Sequence, residues 1–175
     1  MYRFVIKSSD DRKFQISEEA LRWSEVWKPQ MVGRKTANPD SVDRIDSPEE
    51  TEIELVGCSK IEGSTLQLLA EWCNHYVGIQ RPPTVPEGDW SGFRFSEWDK
   101  QFFKAMNPFQ LKTLTMTAKR LGMPLLFASC VRSIYVDHVE GQTVEKIRAF
   151  FGEVDDFTYE EKEYARYERT WLSSV

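Results

Sequence analysis

Apolar residues alternate with polar ones at both ends of the stretch from Tyr2 to Ile16. Phe4 and Ile6 share one face of residues 2–7, Phe14 and Ile16 share one face of 13–16, and Ser8-Ser9-Asp10-Asp11 between them is turn chemistry. The pattern predicts a β-hairpin over 2–16. Ser17 is placed to cap a short helix starting at Glu18, and Ser24 to start a second turn holding Val26, Trp27 and Met31. Pro29 past a first turn would remove a helix hydrogen bond, so that helix is expected to be short or kinked.

Residues 33–51 are polar, hold two prolines and show no period, which predicts a mobile loop. Ile53 and Leu55 alternate within 52–56 and predict a third strand. Ser64 is the expected cap of a helix reaching about Tyr76, with Leu66, Leu69, Ala70, Cys73 and Tyr76 on one stripe. A second mobile loop is expected over 78–95, around Pro82, Pro83 and Pro86.

Ser96-Glu97-Trp98-Asp99 has capping-box form with Asp in the Glu position, and leads into Phe102 and Phe103. Asn107-Pro108 opens a helix whose apolar face is Leu111, Leu114, Ala118 and Leu121, and Gly122 stops it. Pro124 opens another, carrying Leu126, Phe127, Cys130, Val131 and Ile134 and ending by about Gly141. Thr143 caps a short helix with Ile147, Phe150 and Phe151 on its inner side. Thr158 and Glu161 form a full capping box for a last helix from Tyr159 to about Leu172. Three short strands with intervening helices, followed by helices alone, make the fold class α+β with a helical C-terminal half.

A chain of 175 residues, 41% hydrophobic, fits one compact domain or a small core with an appended subdomain. Apolar runs stay well short of the roughly 20 residues of a bilayer span, and the start resembles no secretory leader, so the expectation is a soluble intracellular protein without a membrane partner. Cys58, Cys73 and Cys130 lack the paired spacings of a disulfide framework or a zinc module and are expected to be reduced thiols. The net charge is −5, and basic residues cluster only in pairs such as Arg34-Lys35 and Lys119-Arg120. No basic face is therefore expected to neutralise phosphates, and no nucleic-acid partner.

Candidate chemistry is sparse. Cys73-Asn74-His75 pairs a thiol with a base, but positions i and i+2 of a helix point about 200° apart. Cys73 is expected to be a core thiol and His75 a surface or helix-end group. Metal-ligand spacings and phosphate-binding glycine loops are missing from the sequence. The pairs Glu49-Glu50, Asp155-Asp156 and Glu160-Glu161 read as caps and solubilising charge. No catalytic residue, metal or cofactor is expected.

The C-terminal quarter differs. Tyr164, Tyr167 and Trp171 follow i, i+3, i+7 spacing in an otherwise charged helix, and the preceding helix adds Phe150 and Phe151. Either this stripe packs on the chain's own helices, or its rings anchor another protein.

At this point the segments resemble a family: the Skp (S-phase-kinase-associated protein) adaptors of SCF-type cullin-RING ubiquitin ligases. Ile6-Lys7-Ser8-Ser9-Asp10 with Phe14 is similar to that family's first hairpin, and residues 68–76, ending Trp72-Cys73-Asn74-His75-Tyr76, to its Trp-Cys-x-His-His helix. Trp98-Asp99-Lys100-Gln101-Phe102-Phe103 resembles its Trp-Asp-x-x-Phe-Leu/Phe motif, and residues 111–126 resemble the helix pair that follows. Residues 141–148 resemble its Gly-Lys-Thr-Pro-Glu-Glu-Ile-Arg, and Asp156-Phe157-Thr158 with Glu160-Glu161 and Trp171 its last helix.

The resemblance implies a BTB/POZ-like α/β domain over 1–123 and, over 124–175, a helical extension of the Skp dimerisation type that docks an F-box. It implies a non-catalytic adaptor linking F-box substrate receptors to a cullin scaffold, serving ubiquitin-dependent degradation in cytoplasm and nucleus. Phe127, Ile134, Val139, Ile147, Phe150, Phe151, Tyr164, Tyr167 and Trp171 are the implied F-box-binding residues, and Lys119 and Arg120 the implied cullin-facing ones. Lys119-Arg120 stand where the family has Asn-Tyr, Val144 replaces its helix-opening Pro, Lys146 replaces an acid, and residues 130–141 run about two residues longer. Two other readings stay open: a diverged relative that binds F-box proteins, or oligomerises through its BTB/POZ-like part, without joining a ligase; and a small enzyme using Cys73 or His138.

Overall fold

The computed structural model describes residues 3–30, 51–52, 55, 57–78 and 96–172, with the side chains of residues 3, 51–52 and 169–172 left undescribed. Residues 33–50 and 79–95 of the two expected loops, together with Met31 and Glu49-Glu50, lie outside the described residues. The chain divides into two units, Met1–Ile134 and Tyr135–Val175.

In the first unit the expected hairpin is present. Strands β1 (Arg3–Lys7) and β2 (Lys13–Ser17) pair antiparallel, with Phe4 opposite Ile16 and Ile6 opposite Phe14. Ile6 and Ile16 are buried on the inner face. A short third strand, β3 (Thr51–Glu52), pairs parallel to β1, giving the sheet order β2-β1-β3. Thr51, expected in the loop, is thus the start of a paired strand.

Ser17 caps α1 (Glu18–Leu21) as predicted, its hydroxyl accepting from the Ala20 amide at 3.1 Å. Ser24 accepts from the Trp27 amide at 3.2 Å and donates to the Leu121 carbonyl at 2.5 Å, so one hydroxyl both starts a turn and ties it to a distant helix end. Pro29 falls in a helical turn at 28–30, where its missing N–H costs little.

Helix α2 (Gly63–His75) corrects an expectation. Ser64 lies inside it, and the Glu62 cap position makes no side-chain bond. The cap comes from the hairpin turn: Asp10 accepts from the Gly63 amide at 2.7 Å and from the Ser8 hydroxyl at 2.6 Å. The Ser8 bond in particular holds the Asp10 carboxyl below its usual range. A Cβ at position 63 would sit 2.8 Å from both Asp10 oxygens and 2.6 Å from the Arg12 side chain, so glycine is what admits the carboxylate to this helix end.

The α2 stripe is buried as predicted, apart from a half-buried Tyr76, and is broader than the sequence pattern showed because Trp72 is fully buried too. Trp23, Trp72 and Tyr76 meet as a ring cluster with centroids 4.6–5.9 Å apart. Beside it runs α3 (Glu97–Lys104), capped by Ser96, whose hydroxyl accepts from the Asp99 amide at 3.0 Å. The reciprocal half of the expected box is replaced. Asp99 turns inward, is buried, and accepts from Trp72 Nε1 at 3.2 Å, from the Ser96 hydroxyl at 2.9 Å and from the Tyr76 hydroxyl. The three donors meet the hydrogen-bonding need of a buried carboxyl group.

Helix α4 (Pro108–Arg120) carries the Asn107/Gln110 capping box, buries Leu111, Leu114 and Ala118, and ends at Gly122 with φ 60°. Helix α5 (Pro124–Ile134) packs on α3 and α4 and buries Leu126 and Cys130.

In the second unit the helix expected to run on to Gly141 gives way to a π-helical turn at Tyr135–Val139. A π turn takes up extra residues without breaking the backbone bonding, which suits a stretch longer than the family pattern. Then come α6 (Val144–Phe151) and α7 (Tyr159–Leu172). Thr143 caps α6, accepting from the Lys146 amide at 3.4 Å. Thr158 and Glu161 form the predicted reciprocal box at α7, with bonds of 2.8 and 3.3 Å. The α+β class therefore holds, with the described strands in the first 52 residues and helices alone from Gly63 through the rest of the described chain apart from turns.

Candidate partner-binding surface

Helix α6 is amphipathic because Ile147 and Phe150 recur at helical spacing, and Phe150, 7% exposed, is its buried anchor. Its ring stacks on His138 of the π turn at 4.1 Å and 17°, and meets Phe151 edge to face at 5.0 Å. Phe151 itself faces solvent, 43% exposed, so the expectation that it packs on the inner side is corrected. The reason is angular: adjacent residues of a helix point about 100° apart, and one narrow contact face cannot hold both rings.

Gly152, with φ 77°, ends α6, and residues 153–158 carry the chain to α7. Asp155 in that connection accepts from Arg148 at 2.6 Å through one oxygen and from Lys162 at 2.6 Å through the other. Lys162, then Arg148, hold its carboxyl below the usual range. The Arg148 guanidinium also lies 5.0 Å over the Phe157 ring.

Tyr164 and Tyr167 on α7 are 66% and 73% exposed. They do not pack as the sequence's first alternative has it. Trp171 belongs to the last turn of α7, with its side chain outside the described residues. Val139 and Ile147 are half-buried, and so, in the first unit, are Phe127 and Ile134 on α5. The sequence stripe left out Tyr135, Val136, Val144, Val154, Phe157 and Tyr159, all large apolar side chains exposed in the second unit. Their signal was compositional: bulky apolar residues scattered among charges in a segment with no stripe wide enough to bury them.

A second exposed apolar face lies in the first unit. Phe109 and Met116, 68% and 66% exposed, stand two turns apart on α4. With Ile61 and Arg120 they line a groove of about 610 Å3, rimmed by Lys60 and Lys112. Lys119 and Arg120 occupy the last turn of α4, both exposed. Phe109 and Met116 fall off the apolar face read from the sequence, which found the buried side of that helix.

The candidate nucleophiles offer little. Cys58, Cys73 and Cys130 are free and buried, and burial pushes the Cys58 and Cys130 thiols up to about 12 and Cys73 higher still. At neutral pH all three are protonated, whereas a nucleophile or metal ligand must be thiolate. His75 stacks on Trp98 at 3.7 Å and 6°, and His138 is occupied by Phe150.

Comparison with known proteins agrees with this layout. The description "Skp1 family, dimerisation domain" matches residues 133–172, a stretch that holds most of the exposed aromatic residues described. SKP1-like protein 10 of Arabidopsis thaliana is 27% identical over 172 residues, spanning 97% of this chain and 95% of that one. A Skp1-related protein of Caenorhabditis elegans is 27% identical over 95% of this chain and 89% of its own length. The E3 ubiquitin ligase complex SCF subunit sconC of Arthroderma otae is 27% identical over 67% of this chain and 72% of its own. Residues 133–172 thus match the Skp1-family dimerisation domain, and the chain is similar to Skp1-like proteins over nearly its whole length.

Proposed function

We propose that this chain is a non-catalytic adaptor that links F-box substrate receptors to a cullin scaffold in an SCF-type ubiquitin ligase, acting in cytoplasm and nucleus. The observation that carries the reading is the coincidence of two independent features. Residues 133–172 match the Skp1-family dimerisation domain, and within those residues Phe151, Tyr164 and Tyr167 stand exposed. Aromatic side chains left in water on a small helical unit are the kind of group that anchors a partner. The naming of the relative sconC as an SCF subunit supports the ligase context.

In this reading the first 123 residues form a BTB/POZ-like domain and the docking extension starts at Pro124, on α5. The F-box is held through Phe127, Ile134, Val139, Ile147, Phe150, Phe151, Tyr164, Tyr167 and Trp171. The cullin is met by Lys119 and Arg120 at the end of the α4 groove. The test is reconstitution of the full chain with a recombinant F-box segment and a cullin N-terminal domain, followed by size-exclusion chromatography. A ternary complex is expected. Absence of F-box co-elution would refute the adaptor role.

A specific observation favours a second reading, in which F-box binding is kept without a cullin. Lys119 and Arg120 are exposed where the family pattern has Asn-Tyr. Two cations replace an amide and a flat ring, and they must be desolvated or matched by acids on the partner. A binary complex with the F-box segment, and no cullin in it, is the outcome that selects this reading.

A further inference from the structure

The described side chains of helix α7 lie mostly in solvent. Of its residues 159–168, Lys162 alone is less than exposed, so no described apolar side chain of this helix is buried. Yet two cations from two helices converge on one acid between them. Asp155 Oδ1 lies 2.6 Å from Arg148 Nη1 and Asp155 Oδ2 lies 2.6 Å from Lys162 Nζ. Arg148 is fixed from several sides: its carbonyl accepts the amides of Gly152 at 2.8 Å and Glu153 at 3.0 Å, and its guanidinium covers Phe157. Two ion pairs through different oxygens of the acid, and a ring contact on the connecting chain, restrict the arrangement more than a single surface ion pair does.

We propose that Asp155 is the positioning residue of the partner-binding surface: by bridging Arg148 on α6 to Lys162 on α7, it sets the arrangement in which Phe151 and Tyr164 are presented to a partner. Its effect on affinity rests on the F-box reading; its effect on the free chain does not. A partner helix or loop that uses rings on both α6 and α7 needs them at one spacing, and a preset spacing lowers the ordering cost on binding. Asp156, next in sequence, pairs with no cation among the described residues and provides an internal control of equal charge.

The experiment compares Asp155→Asn with Asp156→Asn in the full chain. Lys162→Gln is a second way of opening the bridge. Amide exchange across residues 159–166 is measured without a partner, and affinity for a recombinant F-box segment by calorimetry. Asp155→Asn and Lys162→Gln should speed exchange and weaken binding by about three- to tenfold, while Asp156→Asn leaves both within about twofold. Equal effects of the two Asn variants would reduce the bridge to a matter of net charge and overturn the proposal. Faster exchange with unchanged affinity would also overturn it, because the bridge would then hold α7 without positioning anything. If the wild-type chain binds no F-box segment, the adaptor reading fails, and the exchange comparison alone decides whether Asp155 holds the helix pair.

Discussion

Trp27 and Trp72, in residues 1–134, are fully buried, whereas Tyr159, Tyr164 and Tyr167, in residues 135–175, keep more than half of their surface in solvent. Of the eleven large hydrophobic side chains found exposed among the described residues, nine fall in the shorter second unit. An aromatic ring offers about 150–250 Å2 of surface to bury. The first unit buries most of that surface in its own core, and the second leaves most of it in solvent. Substitution of a ring should therefore be read as lost stability in one unit and as lost affinity in the other.

The hardest test of this contrast is Trp27→Ala. It empties a fully buried site and should cost about 3–5 kcal/mol of unfolding free energy in a denaturant titration. Tyr164→Ala and Tyr167→Ala should leave that titration within about 0.5 kcal/mol yet weaken binding of an F-box segment by about tenfold or more in calorimetry. A large stability loss from either tyrosine would mean that the second unit also depends on its rings to fold.

Gly63→Ala sharpens the account of the first unit. The new methyl group meets the Asp10 carboxylate, and the expected loss is about 1–3 kcal/mol. Combined with Asp10→Ala, which removes the carboxylate contact and the cap but leaves the contact with Arg12, the loss should be smaller than the sum of the single changes, a coupling that a double-mutant cycle reads directly.

Alkaline pH should act on the first unit as well. Burial, helped by the bond to Asp99, raises the Tyr76 hydroxyl to about 12, and burial raises the Cys58 and Cys130 thiols to about 12. Folded groups that hold their protons more tightly than the unfolded chain contribute stability that is complete below the unfolded values and lost as pH rises through the folded ones. Stability should therefore decline from about pH 9 upward toward pH 12. Tyr76→Phe should flatten the part between about pH 10 and 12, as followed by tyrosinate absorbance.

The smallest effect on folding is expected from Lys119→Asn combined with Arg120→Tyr. Both side chains are exposed, so unfolding should shift by less than about 0.5 kcal/mol. Affinity for a cullin N-terminal domain should rise, and F-box affinity should stay the same. A fall in cullin affinity would show instead that the partner carries matching carboxylates.

What could be read from the sequence was what neighbours in the chain decide. The hairpin of 3–17 joins two strands across one short turn, and the caps at Ser17, Asn107, Thr143 and Thr158 each rest on residues three positions apart. The features that were missed come from groups far apart in the chain. Asp10 caps a helix that begins 53 residues later, and Asp99 gathers donors from Trp72 and Tyr76. Ser64 looked like a cap because the actual one had no local signature. At the candidate surface, the spacing of Tyr164 and Tyr167 was legible, but Phe151 was misplaced, because the pattern of a short helix does not say how wide its contact face is.

The sheet order β2-β1-β3 has a consequence for synthesis on the ribosome. Strand β1 is the middle strand, and its second neighbour, Thr51–Glu52, is translated 35 residues after β2 ends at Ser17. At about 5–20 residues per second, the nascent hairpin waits about 2–7 s with one edge of β1 unpaired. During that interval its amides and carbonyls are open to any extended segment nearby, whether from this chain or another. Among the described residues the parallel partner strand is two residues long, so what ends the exposure is the arrival of the right segment more than the strength of its grip.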